Sequence, residues 1–401
     1  MNHKKIFIII DSYKVYLDKI YKDNKNLSKM SYKDQEDFLS NDGFGWSGIW
    51  NEPLEINGLE VFQCFYNNSV IQNKWANENS VDKNNILKEQ IKYFKPDIIL
   101  IETVRDFNNE WIDNLKKEFS FIKKVVGHLC NPFYITLELK SYDTILCCLH
   151  WMTKELNDSD IHAIYMPNAF NTNWNRESKF HSTKKELCFY GGFEPNSVHD
   201  QRTILIQRLL DEGINIDIFS KVSNQPFLIK IYNYFFRIQE FLKLLRTDPG
   251  IFTDKVFKKI RNKLFVKTSI TSKISIANEI KNNSFPALYG INLYKECLQK
   301  YSVILNIHGE IAKNEIANMR VFEVTGSGAC LLTEYKDNIS DFFEIDKEVL
   351  TYIDQDDCIK KIKWINDHPE EVKQIAIAGQ QRTLKNHTYH QRVAILIEAI
   401  E

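Results

Sequence analysis

The residues best suited to chemistry lie in one run, VILNIHGEIAKNEIANMRVFEVTGSGACLLT, between positions 303 and 333. It reads as a buried strand, a loop, a helix beginning near Asn318, a turn at Gly326-Ser327-Gly328, and a second buried strand. Arg320 offers a permanent cation whose planar fork matches phosphate oxygens. Glu323, three residues on, shares its helix face, and a carboxylate there can accept from both hydroxyls of a ribose. Backbone N–H groups at a helix start and in a glycine turn suit a diphosphate. By spacing alone, the same residues equally fit an amphipathic helix with a surface Arg–Glu pair and a glycine cap.

Further candidates sit where strands end. His128 follows the run 124–127 and has the chemistry of a sugar-hydroxyl ligand or an acceptor base. Asp11 and Glu102 are rival acids for that role, and His308 a weaker one. Gly191-Gly192 follows the strand 187–190 and would let a phosphate approach the backbone closely, or be an ordinary turn. Asp158-Ser159-Asp160 has a metal-binding spelling but lies in a polar loop, and no metal site is expected from it.

These positions need a scaffold of alternating strands and helices. Apolar, β-branched runs occur at 6–10, 60–65, 97–101, 124–127, 144–149 and 163–166, with helical stretches at 81–94 and 109–119. A second series follows: strands at 187–190, 215–219, 303–306, 330–333 and 349–352, with a helix at 201–211. Such alternation predicts right-handed βαβ units, hence an α/β protein with two Rossmann-like, doubly wound domains facing across a cleft. The boundaries expected are 1–175 for the first domain and 186–385 for the second. A C-terminal helix at 386–401 is placed to pack back on the first domain, and the polar stretch 171–185 serves as linker.

A length of 401 residues suits two cores, and 43% hydrophobic with 26% charged residues describes a globular chain. The formal net charge of −1 provides no global attraction to nucleic acid, so none is expected as a partner. One local exception is a basic helical insertion at 221–274, with twelve Lys or Arg against three acids and apolar stripes. It reads either as a helical insertion packed on its own domain with solvated lysines, or as an arm resting on an anionic membrane surface. No run approaches 18 apolar residues, which predicts a cytoplasmic protein, at most peripheral at the inner face of the membrane. The eight cysteines, most within apolar runs and without a C-x-x-C pair, read as reduced thiols.

The run Asn318-Met319-Arg320-Val321-Phe322-Glu323-Val324-Thr325-Gly326-Ser327-Gly328-Ala329 resembles the signature of bacterial GT-B glycosyltransferases of the spore-maturation-like and surface-polysaccharide group. The likeness extends back to Asn306-Ile307-His308-Gly309 and on through Asp341-Phe342-Phe343 to His387-Thr388-Tyr389 and Arg392. It is looser at Asp11-Ser12-Tyr13, Lys95-Pro96-Asp97 and Tyr142-Asp143. The resemblance implies transfer of a sugar from a nucleoside-diphosphate sugar to a glycan or lipid-linked glycan acceptor, without cofactor or bound metal. The donor would lie in the C-terminal domain and the acceptor mainly in the N-terminal one. Carried onto this chain, Glu323 would hold the ribose, while Arg320, with Thr325, Gly326, Ser327 and Gly328, would hold the diphosphate. Asn318 belongs to the same set. Glu315 and Glu323 are separated by seven residues, the E-x7-E spacing of many retaining transferases, whose first acid lies near the transferred sugar. The reading therefore tilts to retention with Glu315 catalytic, although Lys313-Asn314 departs from the usual glycine-containing context. A nucleotide-sugar 2-epimerase on the same fold and a non-catalytic nucleotide-binding partner are the rival readings.

Overall fold

The computed structural model describes residues 4–130, 139–175, 185–193, 199–221 and 278–401. The expected basic insertion lies outside the described residues, apart from Lys221, as does most of the expected linker.

The first sheet has six strands: β1 (Lys5–Ile10), β2 (Glu60–Phe65), β3 (Ile98–Ile101), β4 (Lys124–Leu129), β5 (Thr144–Cys147) and β6 (Ala163–Tyr165). Their order is β2-β1-β3-β4-β5-β6, and all neighbours run parallel. Such a sheet is covered on both faces, so its strands need unbroken apolar sequence, and Ile6 to Ile10 are all buried. The crossovers use α1 (Lys14–Asp23), α2 (Tyr32–Asp42), α3 (Asn51–Ile56), α4 (Ser69–Asn79), α5 (Ile86–Phe94), α6 (Asn109–Glu118) and α7 (His150–Asn157). Local chemistry sets several ends. Ser31 caps α2 through the Asp34 N–H, and α2 stops at Gly43 with φ 66°. Asn68 caps α4, and α5 stops at Lys95, immediately before Pro96.

The second sheet comprises β7 (Lys185–Tyr190), β8 (Asp217–Phe219), β9 (Ser284–Phe285), β10 (Tyr301–Asn306), β11 (Cys330–Glu334) and β12 (Leu350–Tyr352), in the order β12-β11-β10-β7-β8-β9. The helices that follow β7 in the chain are α8 (Asp200–Asp211), α9 (Asn278–Asn282), α10 (Gly290–Leu293), α11 (Arg320–Gly326), α12 (Gln355–Asp367), α13 (Pro369–Asn386) and α14 (Tyr389–Ile400). This is the expected pair of parallel-sheet, Rossmann-like α/β domains.

By contacts the chain forms two compact units. The first comprises Met1–Cys188, Leu288–Asn306 and Ala312–Glu401; the second comprises Phe189–Ala287 and Ile307–Ile311. Within the first unit, α14 begins with a capping box at Thr388 and Gln391. Its residues Tyr389, Val393, Leu396, Ala399 and Ile400 join the core containing Ile6, Ile8 and Ile10.

Six cysteines are buried thiols, as the apolar runs around them require. Cys130 and Cys148, also expected as reduced thiols, lie side by side with Cα atoms 5.4 Å apart. The parallel register explains the meeting, since β4 and β5 end side by side, with Leu129 opposite Cys147. Among the described residues, no helix is long and apolar enough to cross a membrane.

Candidate active site

In the first unit, β10 ends at Asn306, which is fully buried and organises the run after it. Its Oδ1 accepts from Asn318 Nδ2 at 3.0 Å and from the Arg320 guanidinium at 3.2 Å. Its Nδ2 donates to Thr333 Oγ1 at 2.9 Å, and its carbonyl accepts from Tyr352 Oη at 3.1 Å. One residue thus ties the ends of three adjacent strands to the start of α11. Arg320 is half-buried, whereas Glu323 is 7% exposed.

The glycine turn differs from the phosphate cradle expected of it. The N–H groups of Ser327, Gly328 and Ala329 bond to the carbonyls of Glu323, Thr325 and Val324. Thr325 and Ser327 hydroxyls donate to Val321 and Val324 carbonyls. The turn therefore closes the C-terminus of its own helix. Gly326 is required by packing, because a Cβ there would lie 2.3 Å from the Phe170 ring; Gly328 is required by its φ of +80°.

Glu315 is half-buried and engaged. Its two carboxylate oxygens accept from the backbone N–H groups of His150 (2.7 Å) and Trp151 (3.1 Å), capping α7 from a distant part of the chain. Beside it, the Lys313 ammonium lies 3.6 Å from the centre of the Trp151 ring. The His150 ring stacks on Tyr165 at 3.5 Å. His150, Trp151, Lys313 and Glu315, with Asp337, Asn338 and Asp341, line a cavity of about 460 Å³. None of its residues except Glu315 had been picked out as a site residue by sequence. The available signal was position, since His150-Trp151 directly follows the end of β5, where open α/β sheets place ligands.

A third cluster lies at the C-terminal edge of the first sheet. His128 Nδ1 meets the Glu102 carbonyl at 3.2 Å, its Nε2 lies 3.2 Å from Cys130 Sγ, and its ring is 4.6 Å from that of Trp46. Burial lowers its pKa to about 4. His128, the expected acceptor base, is therefore a half-buried ring that stays neutral near pH 7. Glu102 accepts from the N–H groups of Asp11 and Trp46, and burial pushes its pKa up to about 8. Asp11 is more open. Its carboxylate contacts Asn67 and accepts from Arg105 at 3.2 Å. Burial raises its pKa, and the Arg105 charge opposes the rise.

Gly191 and Gly192 fall in the second unit. Gly191 N–H bonds to the Phe219 carbonyl at 3.1 Å. A Cβ at Gly192 would meet nothing within 4 Å, so this backbone faces open space. Buried Arg202 anchors the turn, donating to the Gly192 carbonyl at 3.1 Å and to the Ile307 carbonyl at 3.2 Å. Asp158, of the Asp-Ser-Asp run, pairs instead with Lys154 at 3.7 Å.

Comparison with known proteins adds the class. Residues 287–398 match a family model described as glycosyl transferase-like. No curated protein sequence matches significantly. Among solved structures, a glycosyltransferase from Rickettsia africae superposes with a TM-score of 0.52 at 10% identity, over 100% of this chain and 98% of that one. Sucrose-phosphate synthase from Thermosynechococcus elongatus gives 0.52 at 7% identity, over 98% of both chains. Anabaena HepE in complex with UDP-glucose gives 0.52 at 9% identity, over 99% of this chain and 100% of that one. Identities this low establish the fold, GT-B. The matched domain and the fold together support an enzyme of the glycosyltransferase class.

Proposed function

We propose that this chain, which carries a glycosyl transferase-like domain at 287–398 on a GT-B fold, moves a sugar from a nucleoside-diphosphate sugar to a glycan or lipid-linked glycan acceptor. On this reading the 318–329 run resembles that of the spore-maturation-like and surface-polysaccharide transferases. The observation that carries the reading is the Asn306 amide gripping both Asn318 and Arg320, which holds a half-exposed cation where strands β10 and β11 end.

Arg320 offsets the charge that builds on the departing diphosphate as the glycosidic C–O bond breaks through an oxocarbenium-like state. Glu323 takes the ribose hydroxyls, and the open backbone at Gly192 admits donor phosphate. No metal is needed on this proposal, so chelation should leave turnover unchanged. Glu315 serves by holding α7 in place. If an acceptor hydroxyl must be deprotonated, Asp11 fits better than His128, because burial raises the carboxylate pKa and lowers that of the imidazole to about 4. The seven-residue Glu spacing favours retention, and the anomer of the product decides it.

Arg320→Ala should weaken nucleoside-diphosphate binding by tenfold or more, about 1.4 kcal/mol, and abolish transfer. A thermal-shift panel of nucleoside diphosphates on both proteins reads this, since a ligand that prefers the native state raises its melting point. Equal shifts in wild type and variant would remove Arg320 from the donor site. Isomerisation of a nucleotide sugar without acceptor would point to an epimerase.

A further inference from the structure

The carboxylate that follows β1 is held from both neighbouring strands. Asn67 lies two residues past β2, and the parallel register sets Ile10 opposite Phe65, so Asn67 comes beside Asp11 and Ser12. Asn67 Oδ1 accepts from the Ser12 N–H at 3.1 Å, which fixes the amide orientation because that N–H can only donate. Nδ2 is then left to donate to the Ser12 carbonyl at 2.9 Å and to Asp11 Oδ1. One side-chain amide thus clamps the backbone of Ser12 and one oxygen of Asp11.

The other Asp11 oxygen meets a cation shared between two acids. β3 flanks β1 on the side away from β2, and the turn Val104–Asp106 follows it. Arg105 Nη2 donates to Asp11 Oδ2 at 3.2 Å, and its Nε donates to Asp106 Oδ1 at 3.4 Å. Tyr66 O–H donates to the second Asp106 oxygen. The Asp11 side chain is only 13% exposed, so burial disfavours its charge; Arg105 opposes that effect and Asp106 adds to it. The other ionisable neighbours carry no charge in mild acid. Glu102, which accepts from the Asp11 N–H at 2.8 Å, has its pKa pushed up to about 8, and Tyr13 and Tyr66 are raised above the usual phenol value.

We propose that Asn67 and Arg105 are positioning residues for Asp11: Asn67 aims the carboxylate, while Arg105, in balance with Asp106, sets how readily it takes the acceptor proton. The proposal rests on the transferase reading with Asp11 as acceptor base, and adds how that base is oriented and tuned. In the step it serves, the acceptor O–H proton passes to an Asp11 oxygen. The hydroxyl oxygen bonds the anomeric carbon, and the glycosidic electron pair leaves with the diphosphate. A carboxylate offers about four accepting positions, so the contacts from Asn67 and Arg105 leave room for that hydroxyl.

Two readouts on the full chain test this. One is the pH profile of kcat/KM for the acceptor; the other is a carbon-13 NMR titration of the Asp11 carboxyl, assigned by its loss in Asp11→Asn. The rate should fall as pH drops through the Asp11 pKa. Arg105→Gln removes the opposing cation, so the acid limb and the carboxyl titration should both move up by about 0.5–1 pH unit. Asp106→Asn removes a like charge and should move both down by about 0.3–1. Arg105→Lys should bring them back to within about 0.3 of wild type. Asn67→Ala should lower kcat about tenfold or more, with the acceptor KM within about threefold. Circular dichroism checks the fold of each variant, and the exposed Arg105 and Asp106 carry the test should Asn67→Ala unfold. A role confined to stability would not drive the limb in opposite directions. Limbs unmoved in both charge variants, or an acid limb that persists in Asp11→Asn, overturn the proposal. Opposite NMR movements in a wild-type framework that transfers no sugar support the charge network and overturn the transferase reading. Transfer with an unmoved carboxyl titration does the reverse.

Discussion

A side chain's role here depends on which of its atoms remain unspent. His128 was legible as a residue at a strand end, but the two partners of its ring come from Glu102 and Cys130, and only the folded chain brings them together. A pKa near 4 leaves it neutral throughout the physiological range. His128→Gln should therefore leave the pH profile of kcat/KM unchanged in shape between pH 5.5 and 8, whereas Asp11→Asn should lower activity by about a hundredfold if deprotonation of the acceptor is required. Measuring both profiles side by side decides between them. Arg320 and Glu323 were readable from their types and spacing. The buried amide that aims Arg320 was visible only as part of a resemblance, because its partners Asn318 and Thr333 are reached through the fold.

Among the elements, α11 shows how one string of letters supports two meanings. Gly-Ser-Gly could cradle phosphate or end a helix, and hydrogen-bond accounting favours the second. The Phe170 ring then fills the space over Gly326. Gly326→Ala should cost about 1–3 kcal/mol in denaturant unfolding, since the ring or the helix must shift. Helix α7 carries the opposite lesson. Glu315 caps it across 165 residues of sequence, a contact no local pattern announces. Gln at 315 keeps one accepting oxygen for that helix end, so Glu315→Gln should retain transfer within about tenfold. A loss of about a thousandfold or more, measured as initial rate at saturating donor, would instead mark a catalytic carboxylate.

For the whole molecule, the parallel strands were legible because burial on both faces demands unbroken apolar runs. Helix α4 was not, since its sequence SVIQNKWANEN has little apolar periodicity. The two-residue β9 is too short to leave a pattern. Global stability should also respond to pH in a computable direction. Glu102 has a folded pKa near 8 against a usual 4.5, so from pH 4.5 to 8 the folded state holds a proton that unfolding releases. Stability must then fall as pH rises through that window. His128 and His387, both lowered to about 4, act oppositely: below pH 6.5 the unfolded chain takes up protons and acidification destabilises. Asp42, raised to about 6, offsets part of this between 3.8 and 6. Above pH 6.5 Glu102 acts without these three. The unfolding free energy should decline there by at most about 1.4 kcal/mol per pH unit, and Glu102→Gln should flatten the decline in melting scans. The last helix imposes an order of events on synthesis. Tyr389, Leu396 and Ile400 share one core with Ile6, Ile8, Tyr16, Leu39 and Trp50, so the packing that early residues begin is finished only when α14 has been made.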